Sequence, residues 1–126
     1  MGADKIRGIV LNQIRYSDTS LIVKVYTDTF GLQSYLIKGV FQKRSKFRPA
    51  LFQPMSVIQF VSQHKQGKEL HYMQEISLEI SFHQLHQDMG KNAVLMFMSE
   101  LLSHAIHSQE SDPDLFDFLI QTIQWL

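Results

Sequence analysis

Short strand-type segments separated by turn formers fill the first eighty residues and constrain the fold of this chain more than any other feature. Residues 21–27 are rich in β-branched and aromatic residues, and Asp28-Thr29-Phe30-Gly31 closes them as a turn. The same criteria predict strands over residues 5–16, 32–40 and 51–63, the last centred on residues 57–61. After the turn Gln66-Gly67-Lys68, residues 69–79 predict a fifth strand. Along one side of it we expect Leu70, Tyr72, Gln74, Ile76 and Leu78.

Five strands joined by short turns favour an OB-type β-barrel over a sandwich, because sandwiches usually need seven or more strands. We therefore expect an OB-fold barrel over residues 1–80. Residues 41–50 are predicted to be a loop, because Pro49 stops regular strand pairing.

Helical patterning replaces strand patterning after Ser81, so an α+β chain with a helical domain over residues 81–126 is predicted. One helix should begin near Gly90 and end at residues 108–111. Its apolar residues cover most of its circumference, which predicts burial in a bundle or between domains. Residues 95–98, Leu-Met-Phe-Met, are interpreted as core, with an adaptable partner groove as the alternative. A second helix should have Ser111 or Asp112 as its N-cap, with Pro113 in its first turn. It reaches Leu126 without a C-cap signal, so we expect the helical domain to be truncated.

Charge is unevenly distributed in a chain whose net charge is zero. Residues 1–50 hold nine Lys and Arg against three acids, giving +6, and residues 51–126 hold three Lys against nine acids, giving −6. This asymmetry favours a basic binding region over an enzyme pocket.

Most of the specific signal lies in residues 41–49, Phe-Gln-Lys-Arg-Ser-Lys-Phe-Arg-Pro. Cations neutralise phosphates and aromatic faces stack on unpaired bases, so the mixture predicts a single-stranded nucleic-acid site. The alternative is a solvated loop whose phenylalanines face the core. The candidate residues here are Lys43, Arg44, Lys46, Phe47 and Arg48.

Further candidates lie on the first three predicted strands, because the face of strands two and three is the usual oligonucleotide track of an OB-fold. Tyr26 and Tyr35 are candidate stacking platforms, with packing in the core as the alternative. Arg15, Lys24 and Lys38 are candidate phosphate ligands, and the lysines are expected to be exposed.

Other classes of function lack a supporting pattern. The chain has no cysteine, so thiolate zinc sites and cysteine nucleophiles are excluded within it. His83-x-x-His86 and Glu100-x-x-x-His104-x-x-His107 are interpreted as solvated helix surface, so no metal or other cofactor is expected. Neither a nucleophile elbow nor a phosphate-binding loop occurs, so no enzyme is predicted. With no signal peptide and no apolar run of spanning length, a cytoplasmic location is expected.

The order of these features resembles the bacterial RecO family. The similarity is carried by Gly8-Ile9-Val10-Leu11, Tyr16-Ser17-Asp18-Thr19-Ser20, Tyr26-Thr27 with Gly31, Lys38-Gly39-Val40, Leu51 with Gln53 and Pro54, Glu75, and the Pro-Asp-Leu-Phe helix start. Lys38-Gly39 followed by the basic stretch is the most specific piece.

The resemblance implies an N-terminal OB-fold joined to a helical domain, acting in DNA damage repair and homologous recombination. RecO-like proteins bind single- and double-stranded DNA, anneal complementary strands and help load the recombinase onto strands coated with single-strand-binding protein. They work with RecR and, in some bacteria, RecF. Some members carry a four-cysteine zinc module in a later helical region, which leaves such a module open beyond Leu126. The alternative is a protein-interaction module that docks a partner such as RecR while DNA is held elsewhere.

Overall fold

The computed structural model describes residues 4–41, 49–63, 70–80, 87–106 and 112–126. These residues form a mixed sheet and two helices. In chain order the elements are β1 (Asp4–Arg15), β2 (Leu21–Thr27), β3 (Gly31–Ile37), a 3-10 helix (Pro49–Phe52), β4 (Val57–Ser62), β5 (Leu70–Tyr72), β6 (Gln74–Ile80), α1 (Met89–Ala105) and α2 (Pro113–Trp125).

The sheet has the order β5-β3-β2-β1-β4-β6. Neighbouring strands are antiparallel, apart from the parallel pair of β3 and β5. The long strand β1 joins the two halves, because its first half pairs with β4 and its second half with β2. The outermost strands, β5 and β6, are separated in the chain by Met73 alone, so the sheet curls into a half-barrel in which one end of β5 lies next to one end of β6. This arrangement is an α+β fold with an OB-like curled sheet.

The predicted count of five strands is wrong, since the described residues form six. The predicted fifth strand is divided at Met73, where the chain leaves β3 and turns to pair with β4. Glu75, in the left-handed region with φ 50°, marks the bend. The five side chains expected along one side are consequently separated: Ile76 is buried, whereas Tyr72 and Leu78 are exposed.

Two apolar clusters stabilise the fold. One fills the concave side of the curled sheet, and its largest fully buried side chains are Tyr35, Phe52 and Phe60. The other lies between the outer side of the sheet and the helices, where Leu95 of α1 and Phe116 of α2 pack with Leu11, Tyr26 and Val57. The helices therefore cover one part of the outer sheet face.

Both helix starts match the sequence-based expectation. The carboxylates of Asp88 and Asp112 cap α1 and α2 by accepting hydrogen bonds from Lys91 N and Leu115 N. The expected burial of the first helix is wrong for most of its surface. In the described part of α1 only Leu95 and Ser99 are buried, because the helix contacts the sheet along one narrow stripe. Neither described helix is long and apolar enough to cross a membrane.

Candidate nucleic-acid interface

The register of four strands places one row of side chains across the outer face of the sheet. Ile14 of β1 is opposite Ile22 of β2, Ile22 is opposite Leu36 of β3, and Leu36 is opposite Tyr72 of β5. Directly opposed residues share a face, and the neighbouring row that includes Val23 and Tyr35 faces the buried core. We call Ile14, Ile22, Leu36 and Tyr72 the outer row. Its two ends are exposed, Ile14 by 62% and Tyr72 by 53%, whereas Ile22 is half-buried and Leu36 is only 8% exposed.

Two candidate lysines flank the outer row, each two residues after a member of it in the chain; Lys24 lies on β2, and Lys38 lies one residue beyond the end of β3. Lys38 follows Leu36 and is exposed, as expected. Its Nζ lies 4.7 Å from the centroid of the Tyr72 ring, a cation–π distance. Lys24 follows Ile22 but is only half exposed, because the end of α1 lies beside it and its Nζ is 3.5 Å from Ser103 O. Lys38 is thus open to a ligand, whereas Lys24 is partly engaged by the helix.

Arg15 organises the turn that follows β1. Its Nε donates to Ser17 O at 3.2 Å and its Nη2 donates to Asp18 O at 2.9 Å. Its guanidinium also lies 4.3 Å from the ring centroid of Phe41. Arg15 itself is exposed, so it can meet a phosphate while it holds the turn.

The predicted basic residues Lys43, Arg44, Lys46, Phe47 and Arg48 lie outside the described residues. Both described neighbours of this basic segment (residues 42–48) are held near the end of β1. Phe41 N donates to Thr19 O at 3.2 Å, and the Gln13 side-chain amide donates to Pro49 O at 3.4 Å and to Phe52 O at 2.9 Å. Phe41 and Phe52 pack with the concave core, so both described flanks lie at the end of β1 near Arg15, on the opposite face of the sheet from the outer row.

The prediction that Tyr26 and Tyr35 are stacking platforms is wrong, because both rings are buried. Tyr26 is 2% exposed and lies under α2, with its ring centroid 6.2 Å from that of Phe116. Tyr35 is fully buried on the concave side, with an edge-to-face contact of 4.8 Å to Phe60. Burial raises the pKa of both hydroxyls, as expected for groups kept neutral in a core. The packing alternative accounts for these two residues.

Tyr72 is the aromatic residue of this surface that the sequence reasoning missed as a binding candidate. With Leu36, Ile37, Lys38, Met73 and Gln74 it lines an open cavity of about 460 Å³. Its exposure depends on the break at Met73, because that break places Met73 and Ile76 in the core and leaves Tyr72 outside. Strand alternation carries no signal for such a break. A tyrosine close to the predicted Gln66-Gly67-Lys68 turn was the only available hint.

The structure offers no support for a metal centre within the part of the chain that it describes. No three His, Asp or Glu side chains among those residues come together closely enough to hold an ion. His104 Nε2 lies 3.5 Å from Glu100 Oε2 on the exposed surface of α1. Three of the noted histidines, His83, His86 and His107, lie outside the described residues.

Comparison with known families decides the relationship of this chain. The family described as recombination protein O, N terminal, matches residues 1–82. The chain belongs to the recombination protein O family. The C-terminal part of the RecO family, described as recombination protein O, C terminal, matches residues 86–126. Both matches agree with the resemblance drawn from the sequence.

Curated RecO relatives align with almost the whole chain. Proteins named DNA repair protein RecO are 36% identical in Flavobacterium psychrophilum and 34% identical in Flavobacterium johnsoniae, each over 97% of this chain and 52% of the relative. The protein of that name in Bacteroides fragilis is 33% identical over 97% of this chain and 50% of the relative. The chain therefore spans about half the length of the RecO proteins that it matches.

Proposed function

We propose that this chain is a non-catalytic DNA-binding module acting in DNA repair and homologous recombination in the cytoplasm. On this proposal it binds single- and double-stranded DNA, promotes annealing of complementary strands and contributes to recombinase loading. A RecR-like protein and single-strand-binding protein are the proposed protein partners. The names of the relatives support the repair role, because proteins called DNA repair protein RecO align with nearly the whole chain.

One observation carries the assignment of DNA to this surface. The flanks of the basic segment are anchored beside Arg15 at the end of β1, next to Ile14 of the outer row, and Lys38 and Tyr72 stand exposed at the other end of that row. Lys38 and Tyr72 thus place a cation and an aromatic ring on one surface, which is the combination that single-stranded nucleic acid requires. Phosphates would lie along the cations, and unpaired bases would lie on the outer row.

Charge reversal of the basic segment tests this assignment. Lys43, Arg44, Lys46 and Arg48 are replaced together by Glu, and fluorescently labelled single-stranded DNA is titrated at two salt concentrations. If each of the four cations meets a phosphate, their loss makes the slope of log K against log salt shallower by about 2.8. For the wild type, those contacts alone weaken binding about fifty-fold on a fourfold rise in salt. Unchanged affinity and slope would remove the basic segment from the site.

A matched pair of variants separates local contacts from net charge. Lys43→Glu with Arg44→Glu is compared with Lys5→Glu and Lys91→Glu, which shift the net charge by the same amount. Lys5 and Lys91 are exposed and lie on β1 and α1, away from the described flanks of the basic segment. A local site predicts a larger loss of affinity for the first pair. Equal losses would indicate attraction by net charge alone.

A protein-interaction module is the second candidate, and an observation on α1 favours it. Val94, Phe97 and Leu101 recur at helical spacing and are exposed; we call them the exposed α1 face. Large exposed apolar patches commonly mark protein contacts. If the chain binds no DNA at low salt but associates with a RecR-like protein, this second function replaces the first.

A further inference from the structure

The structure contains a feature that phosphate binding alone does not use, namely the cavity between the end of β3 and β5. Its lining pairs an exposed aromatic ring, Tyr72, with an exposed cation, Lys38. Leu36, Ile37 and Met73 supply an apolar wall, and Gln74 adds an amide that can donate and accept hydrogen bonds. No carboxylate lies among these described lining residues.

We propose that this cavity is a subsite for one unpaired nucleotide, with the base stacked on Tyr72 and its phosphate at Lys38. The inference rests on the proposed DNA-binding function and adds to it a site that distinguishes single-stranded from double-stranded DNA. We call it the Tyr72 subsite.

The geometry suits a nucleotide better than a phosphate alone. The Lys38 ammonium lies over the Tyr72 ring, 4.7 Å from its centroid, so one nucleotide can place its phosphate at Lys38 and its base on the part of the ring that Lys38 does not cover. A base in a duplex keeps its faces stacked on neighbouring pairs and cannot lie on the ring, whereas an unpaired base can. The ring therefore distinguishes single strands, while the cations of the basic segment serve either form of DNA.

The position of the subsite on the sheet fits a track for a strand. Tyr72 ends the outer row, whose other end, Ile14, lies one residue before Arg15 on β1. A strand that crosses β5, β3, β2 and β1 from the Tyr72 subsite would reach the end of β1, where Arg15 and the described flanks of the basic segment lie on the other face of the sheet. Tyr72 and the cavity are thus separate from the cations of the basic segment, which are proposed to attract the DNA phosphates.

Replacement of Tyr72 tests the inference. Tyr72→Ala and Tyr72→Phe are titrated with a labelled oligo-dT strand and with a blunt duplex of the same length. Loss of one stacked base weakens binding about fivefold or more, so Tyr72→Ala should lose oligo-dT affinity by that factor and keep its duplex affinity. Tyr72→Phe keeps the ring and should bind like the wild type. Phe97→Ala, which removes an exposed ring from α1, is the control and should leave both affinities unchanged.

Salt dependence separates the two parts of the subsite. Lys38→Gln should make the salt slope for oligo-dT shallower by about 0.7, as expected for one phosphate contact, whereas Tyr72→Ala should leave the slope unchanged.

The subsite is overturned if Tyr72→Ala binds oligo-dT as tightly as the wild type, or if it loses affinity equally for the single strand and the duplex. If the basic-segment variant loses DNA binding while Tyr72→Ala does not, only the subsite fails. A wild-type chain that binds neither DNA at low salt would instead contradict the proposed function itself.

Discussion

Gly8 stands where β1 is hydrogen-bonded on both sides, opposite Thr27 of β2 and Ile58 of β4. A Cβ atom at this position would lie 2.3 Å from Val25 Cγ1 and 3.3 Å from Phe60 Cε1. Real side chains do not approach so closely, and the neighbours belong to the packed concave core. The packing on both sides of β1 thus requires a residue without a side chain here, which gives a physical role to the glycine of the Gly8-Ile9-Val10-Leu11 stretch.

Gly8→Ala should therefore lower the free energy of unfolding by about 1–3 kcal/mol, the usual cost of overpacking. Gly90→Ala is the matched control. Its new Cβ would lie 3.5 Å from Asp88 Oδ1, an ordinary contact, and alanine favours the helix by about 0.5–1 kcal/mol. Urea unfolding of the two variants measures both effects. Equal stability of the two variants would contradict the close packing around Gly8.

Tyr35 supplies a dependence of stability on pH. Burial raises its pKa in the folded chain, whereas in the unfolded chain the hydroxyl ionises near pH 10. The folded state then holds a proton that the unfolded state has lost, so this contribution is fully present below about pH 10 and is lost as pH rises further. Tyr35→Phe should show a smaller decline of the unfolding free energy above pH 10, by about 1.4 kcal/mol per pH unit. Parallel pH profiles for the variant and the wild type would refute the argument.

At the scale of elements, the attachment of the helices to the sheet depends on buried contacts along a narrow stripe. Phe116 of α2 is fully buried, and the Arg7 guanidinium lies 5.4 Å from its ring centroid while Arg7 Nε pairs with Glu79 at 2.8 Å. In α1, the Ser99 hydroxyl donates to Leu11 O on β1. Strand β1 is thereby linked to both helices and, through Arg7, to β6.

Phe116→Ala should destabilise the chain by about 3–5 kcal/mol, because it opens a cavity in the cluster between the helices and the sheet. Phe118→Ala lies on the same helix, but that ring is 62% exposed, so the change should stay within about 0.5 kcal/mol. Thermal unfolding of the two variants makes the comparison. If Phe118→Ala lost as much stability as Phe116→Ala, the claim that the buried side of α2 carries its stabilising contacts would be contradicted.

Sequence patterning predicted most elements, because their causes are local. The turn Asp28-Thr29-Phe30-Gly31, the N-cap Asp112 and the alternating strands all depend on residues a few positions apart. The division of the last strand at Met73 depends instead on which distant strand each half pairs with, β3 or β4. No local signal distinguishes those partners.

The candidate site was harder to predict for the same reason. Tyr26, Tyr35 and Tyr72 all lie in strands, and only their neighbours in three dimensions decide exposure: α2 covers Tyr26, the concave core encloses Tyr35, and Tyr72 stays open. Both Lys24 and Lys38 were expected to be exposed, because isolated charges seldom stay buried in a small core, and Lys38 is exposed. Lys24 is half-buried instead, because the end of α1 lies beside it. The proposed division into domains at residue 80 stays a prediction, since the helices share an apolar cluster with the sheet.

For the whole molecule, charge and shape favour one orientation on DNA. The +6 half of the sequence contains Arg15, Lys38 and the basic segment, and the −6 half contains both helices. The helices cover a neighbouring part of the same outer sheet face, and their acidic charge repels phosphates, so the strand should keep to the uncovered outer row and stay clear of the exposed α1 face. The latter then remains accessible to a protein partner while DNA is bound.

NMR mapping tests this orientation most directly, because both surfaces carry methyl groups. On titration with oligo-dT, the methyl resonances of Ile14, Ile22 and Leu36 in the outer row should shift, and those of Val94 and Leu101 on the exposed α1 face should not. Shifts confined to Val94 and Leu101, with Ile14, Ile22 and Leu36 unchanged, would contradict the assignment of DNA to the outer face of the sheet.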